Sequence, residues 1–152
     1  MKLILTSSQF TNGSNIPSRY TCDAQNYSIP LHWENIPSGT KSLVLIMDDP
    51  DAPMGTWDHW LLFNIPPTTY AFDENIQSLP AGAKGGHNSF GNNVYGGPCP
   101  PDREHRYFFK LYALDIILDL PEGATKAQIE KAMQGHILEQ AELMGKYNRV
   151  GH

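Results

Sequence analysis

Short, unbroken apolar runs alternate along this chain with polar stretches rich in glycine and proline. Residues 42–47 (Ser-Leu-Val-Leu-Ile-Met) and 60–65 (Trp-Leu-Leu-Phe-Asn-Ile) are apolar on both faces of an extended chain. Each therefore predicts a strand in the middle of the fold. Pro66-Pro67 stops the second. Residues 106–118 predict a long aromatic strand, and residues 3–5 and 28–33 predict shorter ones on either side of a turn at Asn12-Gly13. Residues 68–100 hold Gly, Asn and Pro with little periodicity, which predicts a long loop of the kind that often carries function.

A helical pattern is expected only near the end. Thr125 and Gln128 have the spacing of a capping box, and Ile129, Met133 and Ile137 recur at fourfold intervals. Gly135 is expected to break this stretch into two short helices, with Gly145 as its C-terminal stop. Strands first and helices last fit a mainly β fold, with antiparallel sheets packed face to face and helices at one edge. There is no strand–helix alternation and no glycine-rich phosphate loop, which argues against a doubly wound nucleotide-binding fold. No repeat or linker divides the chain, so residues 1–152 read as a single domain.

Composition narrows the function. Apolar residues make up 40% and charged residues 18%, as in an ordinary globule, and the formal net charge is −5. The basic residues are scattered, which argues against nucleic acid. No apolar run approaches the length of about 20 residues that spans a bilayer, so stable membrane insertion is not expected. The N-terminus reads as a strand, and a cytoplasmic protein is expected. In a reducing compartment Cys22 and Cys99 are expected to be free thiols, with a disulfide left open and Cys99 read as buried and inert.

Two segments hold the candidate chemistry: Asp48-Asp-Pro-Asp-Ala-Pro-Met-Gly-Thr-Trp-Asp-His-Trp60 and Tyr95-Gly-Gly-Pro-Cys-Pro-Pro-Asp-Arg-Glu-His-Arg-Tyr107. Asp49, His59 and His105 each stand at the mouth of an apolar strand beside a rigid loop, so they are expected to meet at one end of the sheet. Strict alternation would point His59 to the side of Trp57 and away from Trp60. Asp48 and Asp51 read equally well as turn caps. His32, His87 and His152 are expected to face solvent, and His136 to serve in packing or capping. A His₂-carboxylate set is chemically able to hold a metal, but no closely spaced ligand pair supports one. No Gly-x-Ser-x-Gly elbow is present, and Cys99 has no evident base beside it. The groups suit binding an anion through protonated histidine and backbone N–H groups better than they suit catalysis.

The segments Asp48-Asp-Pro-Asp-Ala-Pro53, Trp57-Asp-His59, Gly96-Gly-Pro98 and His105-Arg-Tyr107 resemble the motifs of the phosphatidylethanolamine-binding protein family. That family includes the mammalian Raf-kinase inhibitor protein and plant flowering-time regulators. Residues 112–115, 133–138 and 142–145 are similar to its bacterial and archaeal branch. The resemblance implies a Greek-key antiparallel β-sandwich with short peripheral and C-terminal helices. It also implies a small pocket for phosphate, phosphoryl head groups or similar anions, with no cofactor. The family's pocket aspartate and two histidines fall on Asp49, His59 and His105. Pro50, Asp51, Pro53, Trp57, Gly97, Pro98 and Tyr107 match the surrounding motif, and relatives carry a cis proline at the position of Pro53. Arg103 stands where many relatives have glycine. A binding or regulatory protein is the leading reading. A surface inhibitor of a kinase or protease, and a hydrolase using Asp49 and His59 as an acid–base pair, are its rivals. A homodimer is left open.

Overall fold

The structure, a computed structural model, describes residues 1–149; His152 lies outside the described residues. Among the described residues eight strands form two antiparallel sheets. The smaller has the order β1-β2-β5, from β1 (Ile4–Thr6), β2 (Leu31–Glu34) and β5 (Ala71–Phe72). The larger has the order β6-β4-β3-β7-β8, from β3 (Ser42–Asp49), β4 (Trp57–Ile65), β6 (Lys84–Gly85), β7 (His105–Leu114) and β8 (Ile137–Tyr147). Among the described residues a single α-helix, α1 (Lys126–Met133), accompanies a short 3₁₀ turn at Ser18–Tyr20.

β3 is buried at every position, as an apolar run on both faces requires of a strand with neighbours on each side. Its front face contributes Leu43, Leu45 and Met47 to a core shared with Leu5, Leu31 and Trp33 of the smaller sheet, so the two sheets bury their facing surfaces together. Its back face puts Val44 and Ile46 against Ile129 and Met133 of α1. The helix begins at Thr125, whose hydroxyl accepts from Gln128 N while the Gln128 side chain accepts from Thr125 N, completing the capping box.

The second helix expected after Gly135 does not form. Residues 137–147 are β8, which pairs along the whole of β7. Glu, Gln, Ala, Leu and Met favour helix as isolated residues, but β7 needs an edge partner, and that pairing outweighs local propensity. Leu143, Gly145 and Tyr147 are buried at every second position. Gly145 is not a helix stop; a Cβ there would lie 2.6 Å from Ile16 Cγ1, so only glycine lets this part of the chain pack against the strand.

Cys22 and Cys99 are joined in a disulfide across a sequence separation of 77 residues, and both half-cystines are exposed. The expectation of free thiols, with Cys99 buried, is thereby overturned. Sequence spacing carried no sign of the pairing, because folding brings the 3₁₀ turn against the Gly/Pro loop, where Cys22 N donates to Pro98 O. No cis peptide bond occurs among the described residues, so Ala52–Pro53 is trans. His136 Nδ1 donates to Asp115 Oδ1, 2.8 Å away, bracing the turn before β8. Among the described residues no helix is long and apolar enough to cross a membrane.

Candidate functional site

The site lies where β3 ends and where β4 and β7 begin. Met47 pairs with Trp60, but Asp48 pairs with Asp58, so β4 carries one residue more than β3 at this point. That extra residue is His59. A β-bulge of this kind re-aims a side chain. It turns His59 to the front with Trp57 and Asp49, while Trp60 also stays in the front core. The bulge therefore breaks the alternation expected to separate His59 from Trp60.

These strand ends and their loops enclose a cavity of about 300 Å³. Asp49, His59, His105 and Tyr107 form its polar floor, and all four are buried. Pro53, Met54, Trp57, Phe90 and Pro101 make its walls and rim. The lining is mostly apolar, which strengthens any electrostatic interaction inside it.

His105 is held on both sides. Its Nδ1 lies 2.6 Å from Asp49 Oδ2 and its Nε2 lies 2.7 Å from Asp102 Oδ1. Carboxylates only accept, so both contacts are satisfied when both ring nitrogens carry hydrogen. The bond to His105 holds the Asp102 carboxyl below its ordinary range. Asp49 Oδ1 accepts from Asp51 N at 2.8 Å, and Asp51 pairs with Arg106 at 2.9 Å. The Arg106 side chain holds the Asp51 pKa down to about 2.

His59 is positioned differently. Its Nδ1 is 2.7 Å from Gly96 O, so Nδ1 must be the protonated nitrogen and donate to that carbonyl. Burial pushes its pKa below the ordinary value, against the opposing pull of the Gly96 bond and of Asp49. The ring is thus neutral near pH 7, not the charged histidine expected for anion binding. The rings of Phe90 and Tyr107 pack edge-on to it at 5.3 and 5.2 Å. Among the described residues, two buried side-chain polar atoms have no hydrogen-bond partner: His59 Nε2 and the Tyr107 hydroxyl. Burial pushes the Tyr107 pKa far up, so its proton stays in place.

Of the ten residues singled out in the sequence, the structure gathers Asp49, Pro53, Trp57, His59, His105 and Tyr107 around the cavity. The other four stand behind it. Pro50 is exposed at the turn after β3, and Asp51 braces Asp49 and Arg106. Gly97 N donates to Asn26 Oδ1, and a Cβ on Gly97 would collide with that oxygen and with Tyr20 O. Pro98 offers its carbonyl to Cys22. Arg103 is not among the residues in the left-handed region, so the loop does without glycine there. Sequence reasoning missed Phe90, which Asn88 orients by accepting from Phe90 N at 3.0 Å. It also missed Asp102 as the second partner of His105. The i,i+3 spacing of Asp102 and His105 was the one available signal. Asp48 faces the other way, bonding Lys126 at 2.8 Å and Lys110 at 3.3 Å behind the sheet. Among the described residues no group of three His, Cys, Asp or Glu side chains is arranged to hold a metal ion.

A two-sheet β fold with a small, polar-floored cavity at its strand ends defines a ligand-binding protein. The family model for phosphatidylethanolamine-binding protein matches residues 6–148, and the chain belongs to that family. It is 51% identical over 148 residues to a UPF0098 protein of Methanothermobacter thermautotrophicus, covering 95% of this chain and 98% of the relative. The crystal structure of CT736 from Chlamydia trachomatis, described as a putative phosphatidylethanolamine-binding protein homologue, superposes with a TM-score of 0.93. It is 43% identical and covers 97% of this chain and 98% of its own. YbcL of E. coli, described as a new member of the mammalian family, gives 0.91 at 30% identity, covering 98% and 99%.

Proposed function

We propose that this protein binds a small oxyanion, such as phosphate or a phosphoryl head group, in the cavity floored by His59, His105 and Tyr107, and does no chemistry on it. The observation that carries this reading is the pair of buried, unpartnered polar atoms, His59 Nε2 and Tyr107 Oη, on residues lining one cavity. A buried polar group without a partner costs about 1–3 kcal/mol, and a ligand that supplies both partners recovers it. The volume suits a small head group, not a whole lipid. The acid–base pair that hydrolysis would need is not formed: Asp49 bonds His105 and Asp51, and His59 bonds Gly96. Calorimetric titration with inorganic phosphate and phosphoethanolamine tests the reading. Saturable one-site binding with no product released is expected, and Tyr107→Phe should weaken it. Unaltered affinity in that variant would reject this site.

A further inference from the structure

The hydrogen-bonding capacity of the cavity floor is uneven, and that unevenness selects among oxyanions. The Gly96 carbonyl fixes the hydrogen of His59 on Nδ1. Nε2 is left with a lone pair and can only accept. The ring nitrogens of His105 are both taken by carboxylates. The Tyr107 hydroxyl is then the unengaged donor on the floor.

The charges around His59 lean the same way. From β3, Asp49 stands on the cavity side and Asp48 on the far face, where Lys110 and Lys126 engage it. From its own strand, Asp58 lies behind it and pairs with Lys126 at 3.4 Å. From β7, Tyr107 packs on the ring, and beyond Tyr107 stands His105, between Asp49 and Asp102. Asp51 is paired with Arg106. His105 is thus flanked by two carboxylates. A fully ionised oxyanion would set oxygen lone pairs against the Nε2 lone pair beside this acidic cluster.

We infer that the cavity takes its oxyanion in a protonated form, a hydrogen phosphate or the monoanion of a phosphate monoester. Its O–H donates to His59 Nε2, and a second oxygen accepts from the Tyr107 hydroxyl. This deepens the anion-binding reading and rests on it. Such a ligand fills both orphaned positions at once. A tetrahedral anion without a proton fills one and leaves the other repelled. The site therefore separates phosphate monoesters from sulfate, two groups of nearly the same shape.

Calorimetric titration with methyl phosphate and with sulfate, between about pH 6 and about pH 8, tests this directly. A phosphate monoester loses its second proton near about pH 6, so its monoanion falls from about half to about a hundredth of the total across that range. The apparent affinity for methyl phosphate is expected to fall about fifty-fold. Sulfate is expected to bind at least about tenfold more weakly than methyl phosphate at the lower pH, with little dependence on pH. In His59→Gln, whose amide can turn either a donor or an acceptor to the cavity, the two ligands should bind alike. Should that variant fail to fold, the wild-type comparison decides alone. The inference is overturned if methyl phosphate holds its affinity to the upper pH, if sulfate equals it, or if both strengthen in parallel as pH falls. Binding of neither anion, or of methylammonium in their place, overturns the anion reading itself.

Discussion

His105 Nδ1 lies 2.6 Å from Asp49 Oδ2, with both side chains buried. The contact joins the last residue of β3 to the first of β7, two neighbouring strands of the larger sheet. It sets the floor of the cavity and locks the strand ends together. Removing the carboxylate leaves a buried imidazole with only the exposed Asp102 beside it. Asp49→Ala should lower stability by about 3–5 kcal/mol, the range for breaking a buried pair from one side. Asp49→Asn, which keeps an acceptor, should lose less. Urea denaturation of both variants checks the order, and equal losses would contradict it.

Tyr107→Phe should separate stability from function. The hydroxyl is buried without a partner, so deleting it relieves a desolvation cost in the free protein. The denaturation midpoint is expected to hold or rise, while the affinity for phosphate falls. A parallel loss of both would mean that the hydroxyl supports the fold instead of the ligand.

The Cys22–Cys99 bond closes a loop of 77 residues. In the chain-entropy account, a loop of that length is worth about 4–5 kcal/mol through restriction of the unfolded chain. Thermal melts with and without a dithiol reductant, and of the Cys22→Ser, Cys99→Ser double variant, should both show the loss. Cys99 also lines the cavity. Reduction should therefore weaken anion binding at temperatures where the fold survives.

Two groups near the site contribute to the acid limb of stability. His59 has its pKa lowered by burial, so the unfolded chain takes up a proton that the native state refuses. Its contribution is present above about 6.5 and is lost as pH falls below it. Asp51, held to about 2 against an ordinary 3.8, adds stability that is present above the higher value and lost on approach to the lower. His59→Gln should flatten the first step and Arg106→Ala the second. Denaturation midpoints measured across the acid range would show both, and an unchanged profile in either variant would discount that group.

The central strands were legible because burial on both faces leaves short, unbroken apolar runs, here bounded by proline- and glycine-rich turns. Asp49, His59 and His105 could be placed together for the same reason: each sits where such a run begins or ends. β8 was not legible. Its residues favour helix, and the demand that made them a strand comes from β7, about thirty residues earlier in the chain. The bulge at His59 left no mark in sequence, because it arises from unequal residue counts on two paired strands. Phe90 entered the site through the amide of Asn88, inside a loop whose composition fixed no conformation. Which nitrogen of His59 carries the hydrogen depended on a carbonyl 37 residues away.

Asp48 and Asp49 are consecutive, yet one bonds the lysines behind the sheet and the other bonds His105 in the cavity. Adjacent carboxylates thus hold unlike posts by the pleat alone. Losing or gaining one residue within β3 would exchange them, sending the cavity's acid to the helix side and stranding His105. The pleat acts as a reading frame, in which an insertion is costlier than most replacements.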